Sequence, residues 1–355
     1  MKSRWWTALW TLVAAGVLVA IAGGVIAVTG VYDVSAKAQH PAPVAWVIHY
    51  VMERSVAAHA PKGPVPDLSD HGRIVRGAAH FMSACAGCHG APGEVASPMA
   101  RNMMAAPPPL YSAARDFQPN ELFWIVQNGI KLTAMPGWPS DGRDDEVWDM
   151  VAFLEALPEL KTAQNFLSLA GAPTGASSLP QTQDATNAAA ECARCHGADG
   201  MGRDGAFPKL AGLSAEYIAD QLKLFRDGTR PSGFMRTAAA NLTDAQIAAL
   251  AQYYSGLPPG SLPPTTPSAD AQQGQAIYEQ GIPAMSVKAC NDCHESKDGK
   301  PDRGPELKGQ PAFYTEAQLK LFRSGDRHSR VMERIARLLT DPQIAGLADF
   351  LQAAP

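Results

Sequence analysis

The chain has 355 residues, a length that suggests two or three domains. A hydrophobic share of 46% is that of a globular protein, which excludes a disordered chain and a multi-pass membrane protein alike. The net charge of −4 argues against nucleic acid as a partner. Alanine, glycine and proline are abundant and runs of Val, Ile and Thr are scarce, so short helices joined by loops are expected.

Lys2 and Arg4 precede an uncharged apolar stretch from Ala8 to Val31. As a helix this stretch is about 36 Å long, enough to cross a hydrocarbon core of ~30 Å with some tilt. Trp5, Trp6 and Trp10 at one end and Tyr32 at the other resemble interfacial anchors. The basic end would stay in the cytoplasm. Residues 1–38 therefore read as a single-pass anchor in a bacterial inner membrane, with everything after Tyr32 on the periplasmic side. The alternative is a cleaved signal ending at Ala36-Lys37-Ala38. Residues 39–66 read as an amphipathic helix and connector. Val44, Val47, Ile48, Val51, Met52 and Val56 recur at helical spacing, to lie on the membrane or against the first folded domain. His40, His49 and His59 have no spacing that pairs them, and read as solvent-facing or interfacial.

The next segment, residues 67–160, carries Cys85-Ala86-Gly87-Cys88-His89. The pattern returns as Cys192-Ala193-Arg194-Cys195-His196 and Cys290-Asn291-Asp292-Cys293-His294, using all six cysteines. Cys-x-x-Cys-His is the haem c attachment pattern. Its two thiols add across the two vinyl groups of one porphyrin, and the following His lies under the iron. A zinc site would need two cysteine pairs closing on one ion, not isolated triplets about a hundred residues apart. Three covalently attached haem c groups follow, with no thiol left for a disulfide.

Around the first motif the spacing predicts a helix over Asp70–Ala84, another over Asn120–Gln127 stopped by Gly129, and a last one from Asp144 to before Pro158. Residues 161–187, rich in Ala, Ser, Thr, Gly and Gln, read as a flexible linker. A second domain spans 188–257, a Pro-rich hinge 258–267, and a third domain 268–355. The second and third are an internal repeat. Gln221-Leu222-Lys223-Leu224-Phe225-Arg226, Gly228, Met235 and Leu242-Thr243-Asp244 recur 97 positions later as Gln318-Leu319-Lys320-Leu321-Phe322-Arg323, Gly325, Met332 and Leu339-Thr340-Asp341. Both last helices open with a capping box, Thr243 with Gln246 and Thr340 with Gln343.

A haem iron held by His has one axial position left. In each domain a short aromatic helix ends in Gly and a Met follows: Met135, Met235 and Met332, lying 46, 39 and 38 residues after their histidines. A thioether favours ferrous iron and raises the potential. Met99, Met103 and Met104 compete with Met135, Met201 with Met235, and His328 with Met332. Pro108, Pro208 and Pro305 lie between motif and methionine, where a proline carbonyl can accept the Nδ1 hydrogen of the histidine.

These motifs resemble the class I c-type cytochromes over nearly all of the chain past residue 67. Domains two and three together resemble the diheme cytochrome c4 family, from which the N-terminal anchor and the extra haem domain depart. The resemblance implies an all-α fold of three tandem class I cytochrome c domains after an N-terminal transmembrane helix. It also implies electron carriage in a periplasmic respiratory chain, between a dehydrogenase or quinol-oxidising complex and a terminal oxidase or small soluble carrier. The alternative is the electron-accepting subunit of a periplasmic dehydrogenase. A haem peroxidase would need an open iron position, which the recurring methionines argue against. A charged insert, Ser296 to Lys300, sets the third motif apart.

Charge suggests two docking faces. Residues 67–160 carry twelve Asp and Glu against six Lys and Arg, with Asp141, Asp144, Asp145, Glu146 and Asp149 crowding the approach to Met135. Arg323, Arg327, Arg330, Arg334 and Arg337 cluster around Met332. Such fields steer encounter. A haemochrome assay calibrated against protein mass is expected to give three haems per chain; two or fewer in fully matured protein would refute the triple-motif reading.

Overall fold

The computed structural model describes residues 2–160, 162–171, 185–260, 270–295 and 304–354. The charged insert at 296–300, most of the linker and most of the Pro-rich hinge fall outside them. Among the described residues the fold is all-α, with a single isolated antiparallel bridge between Ile282 and Val287. The first two helices, α1 (Lys2–Thr29) and α2 (Ala42–His59), precede the folded units. From Arg4 to Thr29, α1 is long and apolar enough to cross a membrane, by length and composition, and none of it is buried among the described residues. Only the far end of α2 is tied down. Val56 is buried and the His59 ring rests 5.8 Å from that of Trp124, while Val44, Trp46, Ile48 and Val51 stay exposed.

The first unit is built from α3 (His71–His80), α4 (Pro119–Asn128), α5 (Asp144–Ala156) and α6 (Ala163–Ala170). Asp70 starts α3 by accepting the Arg73 amide at 2.8 Å. After His80 the helix widens into a π-turn over Phe81–Cys85, which carries Cys85 into the short helix Ala86–His89. Three acids in the first turn of α5, Asp144, Asp145 and Glu146, suit the positive end of its dipole. α3 and α5 cross closely at Gly77, where any side chain would run into the Asp149 carbonyl. Phe81, Phe153 and Phe166 then close the core with ring centroids 5.0 to 5.9 Å apart. Each such buried ring is worth about 2–3 kcal/mol.

Phe166 overturns one expectation. Residues 163–170 read as flexible linker, yet they form α6, capped by Thr162 and holding Phe166 fully buried against α3. The signal is short: one Thr cap and apolar residues at 163, 166, 167, 169 and 170, a helical spacing that lasts barely two turns.

The second unit comprises α7 (Ala185–His196), α8 (Ala215–Arg226), α9 (Gly233–Ala239) and α10 (Asp244–Ser255). The third comprises α11 (Ala271–Gln280), α12 (Ala312–Ser324), α13 (Arg330–Ala336) and α14 (Asp341–Ala353). The repeat is visible in the packing. Ile247, Leu250 and Ala251 on α10 occupy the places of Ile344, Leu347 and Ala348 on α14, all buried. Arg226 holds the Leu242 carbonyl and Asp244, as Arg323 holds the Leu339 carbonyl and Asp341. Both expected capping boxes are formed. α11 and α14 cross with glycine on both sides, so that a side chain on Gly274 would strike the Gly346 carbonyl.

Gly274→Val is therefore expected to force α11 and α14 apart and cost about 3 kcal/mol or more. Gly63→Ala, at a position with open space around it, is the neutral control. Denaturant midpoints of the two variants check this.

Candidate haem sites

The three Cys-x-x-Cys-His motifs lie on helical turns: Ala86–His89, the end of α7, and Asn291–His294. In each, the histidine Nδ1 faces a proline carbonyl at hydrogen-bond distance: His89 to Pro108 at 2.9 Å, His196 to Pro208 at 2.9 Å and His294 to Pro305 at 2.8 Å. Nδ1–H donates to the carbonyl, so the ring is fixed in the tautomer that leaves Nε2 as a lone-pair donor for a metal. Burial, opposed by the carbonyl, pulls the pKa of His196 and His294 down, which keeps both rings neutral and able to ligate. Burial together with the neighbouring Cys88 pushes the Cys85 thiol up to about 12; Cys192 is likewise at about 12 and Cys290 at about 11. Such thiols are not the low-pKa, electropositive sort that serves redox catalysis.

The methionines are held by their backbones. The Met135 amide donates to Thr133 Oγ1 at 3.1 Å in an irregular loop. Met235 and Met332 lie instead in the first turns of α9 and α13, with amides donating to Ser232 Oγ at 3.0 Å and Ser329 Oγ at 3.3 Å. The cytochrome c4 resemblance implies loops for both; the serine three residues before each methionine is a helix-cap signal that could have placed them. Among the competitors, Met99 is 76% exposed. His328 is exposed and turned to Glu333 at 3.7 Å, and Met201 rests against Gly260.

A feature that motif reading missed lies between the second and third units. Arg230 and Arg327, 97 positions apart, are 4% and 9% exposed. Arg230 donates to Gln221 Oε1 at 2.7 Å, Gln318 Oε1 at 2.9 Å and the Tyr314 hydroxyl at 2.9 Å. Arg327 mirrors it, donating to Gln318 Oε1 at 2.7 Å, Gln221 Oε1 at 3.2 Å and the Tyr217 hydroxyl at 3.0 Å. Each guanidinium also stacks on its own unit's ring, Phe225 at 4.4 Å and Phe322 at 4.5 Å. Two buried like charges thus share neutral acceptors, and neither forms an ion pair among the described residues. Burial and Arg230 together lower the Arg327 pKa. Tyr314 is raised by burial, but the two arginines outweigh this and leave it below its usual value. Arg230 Nε has no hydrogen-bond partner among the described residues. A buried cation without an anion is costly. Haem fits this setting, because it brings carboxylates as well as iron: the thiols, imidazoles and thioethers suit its vinyl groups and iron, and the arginines suit its propionates.

The two docking faces expected from charge are not both free surfaces. Glu146 and Asp149 are 3% and 4% exposed. Asp149 pairs with Arg73 and Arg76; Glu146 pairs with Arg143 at 2.7 Å and receives Ser232 Oγ–H and the Gly233 amide of the second unit, both at 2.6 Å. Arg327 is internal. Counting charges along the sequence cannot tell a solvated field from a neutralised seam.

Residues 72–154 match the family described as cytochrome c oxidase, cbb3-type, subunit III, and residues 185–257 match the family described as cytochrome c. About half of the chain aligns with each of several characterised relatives. A thiosulfate dehydrogenase electron acceptor from Thiomonas intermedia is 40% identical over 173 residues, 47% of this chain and 80% of the relative. Cytochrome c4 of Pseudomonas aeruginosa is 36% identical over 172 residues, 46% of this chain and 84% of the relative. A thiosulfate dehydrogenase electron acceptor from Stutzerimonas stutzeri is 35% identical over 176 residues, 48% and 82%. Helical units with covalent haem c attachment define an electron-transfer protein. The chain belongs to the c-type cytochromes, with cytochrome c4 and the thiosulfate dehydrogenase electron acceptors among its relatives, and like them it is an electron carrier rather than an enzyme.

In haem-loaded protein Arg327→Gln is expected to lower stability by about 3 kcal/mol, as removal of one partner from a buried charge pair does. If no carboxylate balanced the two arginines, removing one would raise the thermal midpoint instead, so the sign of the shift decides.

Proposed function

We propose that the chain is a membrane-tethered triheme cytochrome, a wire of three His/Met centres on the periplasmic side of a bacterial inner membrane. The observation that carries this reading is the shared geometry of the three motifs, each histidine set on a proline carbonyl at 2.8 to 2.9 Å. Cys85 and Cys88, Cys192 and Cys195, and Cys290 and Cys293 each anchor one porphyrin by thioether bonds. His89, His196 and His294 ligate through Nε2, oriented by Pro108, Pro208 and Pro305. Met135, Met235 and Met332 would supply the second protein ligand to each iron. When bound, haem c supplies a one-electron couple between ferric and ferrous iron. The thioethers bias each couple toward the reduced state and so toward high potential. α1 is the tether, and the units at 67–160, 188–257 and 268–355 are the three haem domains.

Electrons pass between a dehydrogenase or quinol-oxidising complex and a terminal oxidase or small carrier. A second reading has support of its own: two relatives are described as electron acceptors of a thiosulfate dehydrogenase. This favours a role as the accepting cytochrome of a periplasmic dehydrogenase, and retention of such an enzyme on the solubilised protein would separate the two. Met135→Ala, Met235→Ala and Met332→Ala are each expected to remove about one third of the sulfur-to-iron charge-transfer absorption, one of three ligand pairs being lost. An unchanged band in any one of them rules out that methionine.

A further inference from the structure

The first unit is docked on the second through the segments that carry their methionines. Trp138 follows Met135 by three residues and Phe234 immediately precedes Met235. Their rings meet edge to face with centroids 5.6 Å apart. The ring of His80, from α3, packs on both, 5.0 Å from Trp138 and 4.7 Å from Phe234. Burial lowers the His80 pKa to about 4, so the ring puts no charge into the contact.

The polar groups around these rings pin one methionine segment to the other. Glu146 accepts from Ser232 Oγ and the Gly233 amide, and its Oε2 also lies 3.4 Å from Trp138 Nε1. Ser232 is the residue that caps the Met235 amide. Arg143 donates to the Pro231 carbonyl at 2.9 Å, and Arg236 returns the contact to the Pro139 carbonyl at 2.9 Å. A second, apolar cluster, Val75 and Ala79 against Ala206 and Phe207, also holds the two units together. The contacts of the first unit with the third are of another kind. Arg76 stacks on Phe313 at 3.9 Å, and Gly142 neighbours Asp326. Neither contact adjoins a methionine in sequence.

We propose that Trp138, Phe234 and His80 form the bridge by which electrons cross between the first and second centres, so that the first unit exchanges electrons with the second and not directly with the third. The proposal rests on the His/Met reading above. One electron is lost at the centre held by His89 and Met135 and one is gained at the centre held by His196 and Met235, or the reverse; no bond forms or breaks and no proton moves. Electron tunnelling falls off less steeply through packed atoms than across gaps, and this seam is packed on both sides of the rings. The docking engages the Trp138 end of the methionine loop, while residues 131–134 and 136–137 stay exposed.

NMR exchange spectroscopy on partly reduced, haem-loaded full-length protein in detergent follows each centre by its own shifted methyl signals. Trp138→Ala combined with Phe234→Ala opens a gap in the packed path and is expected to slow exchange between the first and second centres about tenfold or more. Exchange between the second and third centres should stay at its original rate, and redox titration should show unchanged potentials. Small-angle scattering on the same variant is expected to show the units still docked through the Val75 and Phe207 cluster. Unaltered exchange in a docked variant overturns the proposal. Should the double variant undock, Trp138→Leu and Phe234→Leu are read instead, since they keep apolar bulk at the seam. Slowing in either supports the bridge, and original rates in both overturn it. The charge-transfer absorption of the unsubstituted protein tests the methionine ligands separately: its absence would refute the ligand reading while the exchange rates still decide the bridge.

Discussion

An imidazole fixes a metal firmly only when its second nitrogen is itself held, and in this chain a proline carbonyl does that three times over. The choice of proline follows from backbone chemistry. Having no N–H and a fixed φ, proline cannot join a helix interior, so its segment runs extended past the histidine with the carbonyl directed sideways. Around that contact the rest of each unit is arranged. A helix or turn delivers the cysteines from one side, and a capped methionine segment closes from the other. A crossing pair of helices with glycine at the contact, α3 with α5 or α11 with α14, sets the frame in the first and third units. Displacing the carbonyl would free the ring to rotate and undo the alignment that the packing exists to keep.

The repeat explains why two arginines came to be buried face to face. When two copies of one unit pack about an approximate two-fold axis, any residue near that axis meets its own counterpart. Arg230 and Arg327 share Gln221 and Gln318 and exchange tyrosines across the seam for this reason. Self-pairing of a charged residue repels, which makes it a poor solution unless something anionic belongs between the copies. The seam with the first unit has no such symmetry. There the first unit neutralises its own charges, Glu146 with Arg143 and Asp149 with Arg76, and the polar contacts that cross are Ser232 and Gly233 to Glu146 and an arginine from each side to a carbonyl of the other.

The cofactor was legible from spacing because covalent attachment demands fixed residue types at fixed intervals, and α3, α4 and α5 because they run for ten residues or more. The prolines were legible by recurrence between motif and methionine and not by interval, since they follow their histidines by 19, 12 and 11 residues. What spacing could not show were contacts made between units. Nothing in Gln221 or Tyr314 marks them as partners of arginines 106 and 84 residues away. Glu146 and Asp149 look along the sequence like members of an exposed acidic run, and only three-dimensional packing shows them neutralised. Met235 and Met332 sit in short helices because Ser232 and Ser329 cap them, a local signal outweighed by the resemblance to cytochrome c4.

Helix α6 bears on where the first unit stops and the second begins. Phe166 completes the ring cluster with Phe81 and Phe153, and the carbonyls of Ser168 and Leu169 at the end of that helix are gripped by Arg203 of the second unit. A fragment cut after α5, where composition turns polar, would leave two phenylalanines with a bare face and be prone to stick to other chains. A fragment carried through to Gly171 keeps its aromatic lid. For dissecting the gene into separately expressed pieces, or for grafting the first haem unit onto another carrier, the usable seam is set by an aromatic contact rather than by the point at which the chain turns polar.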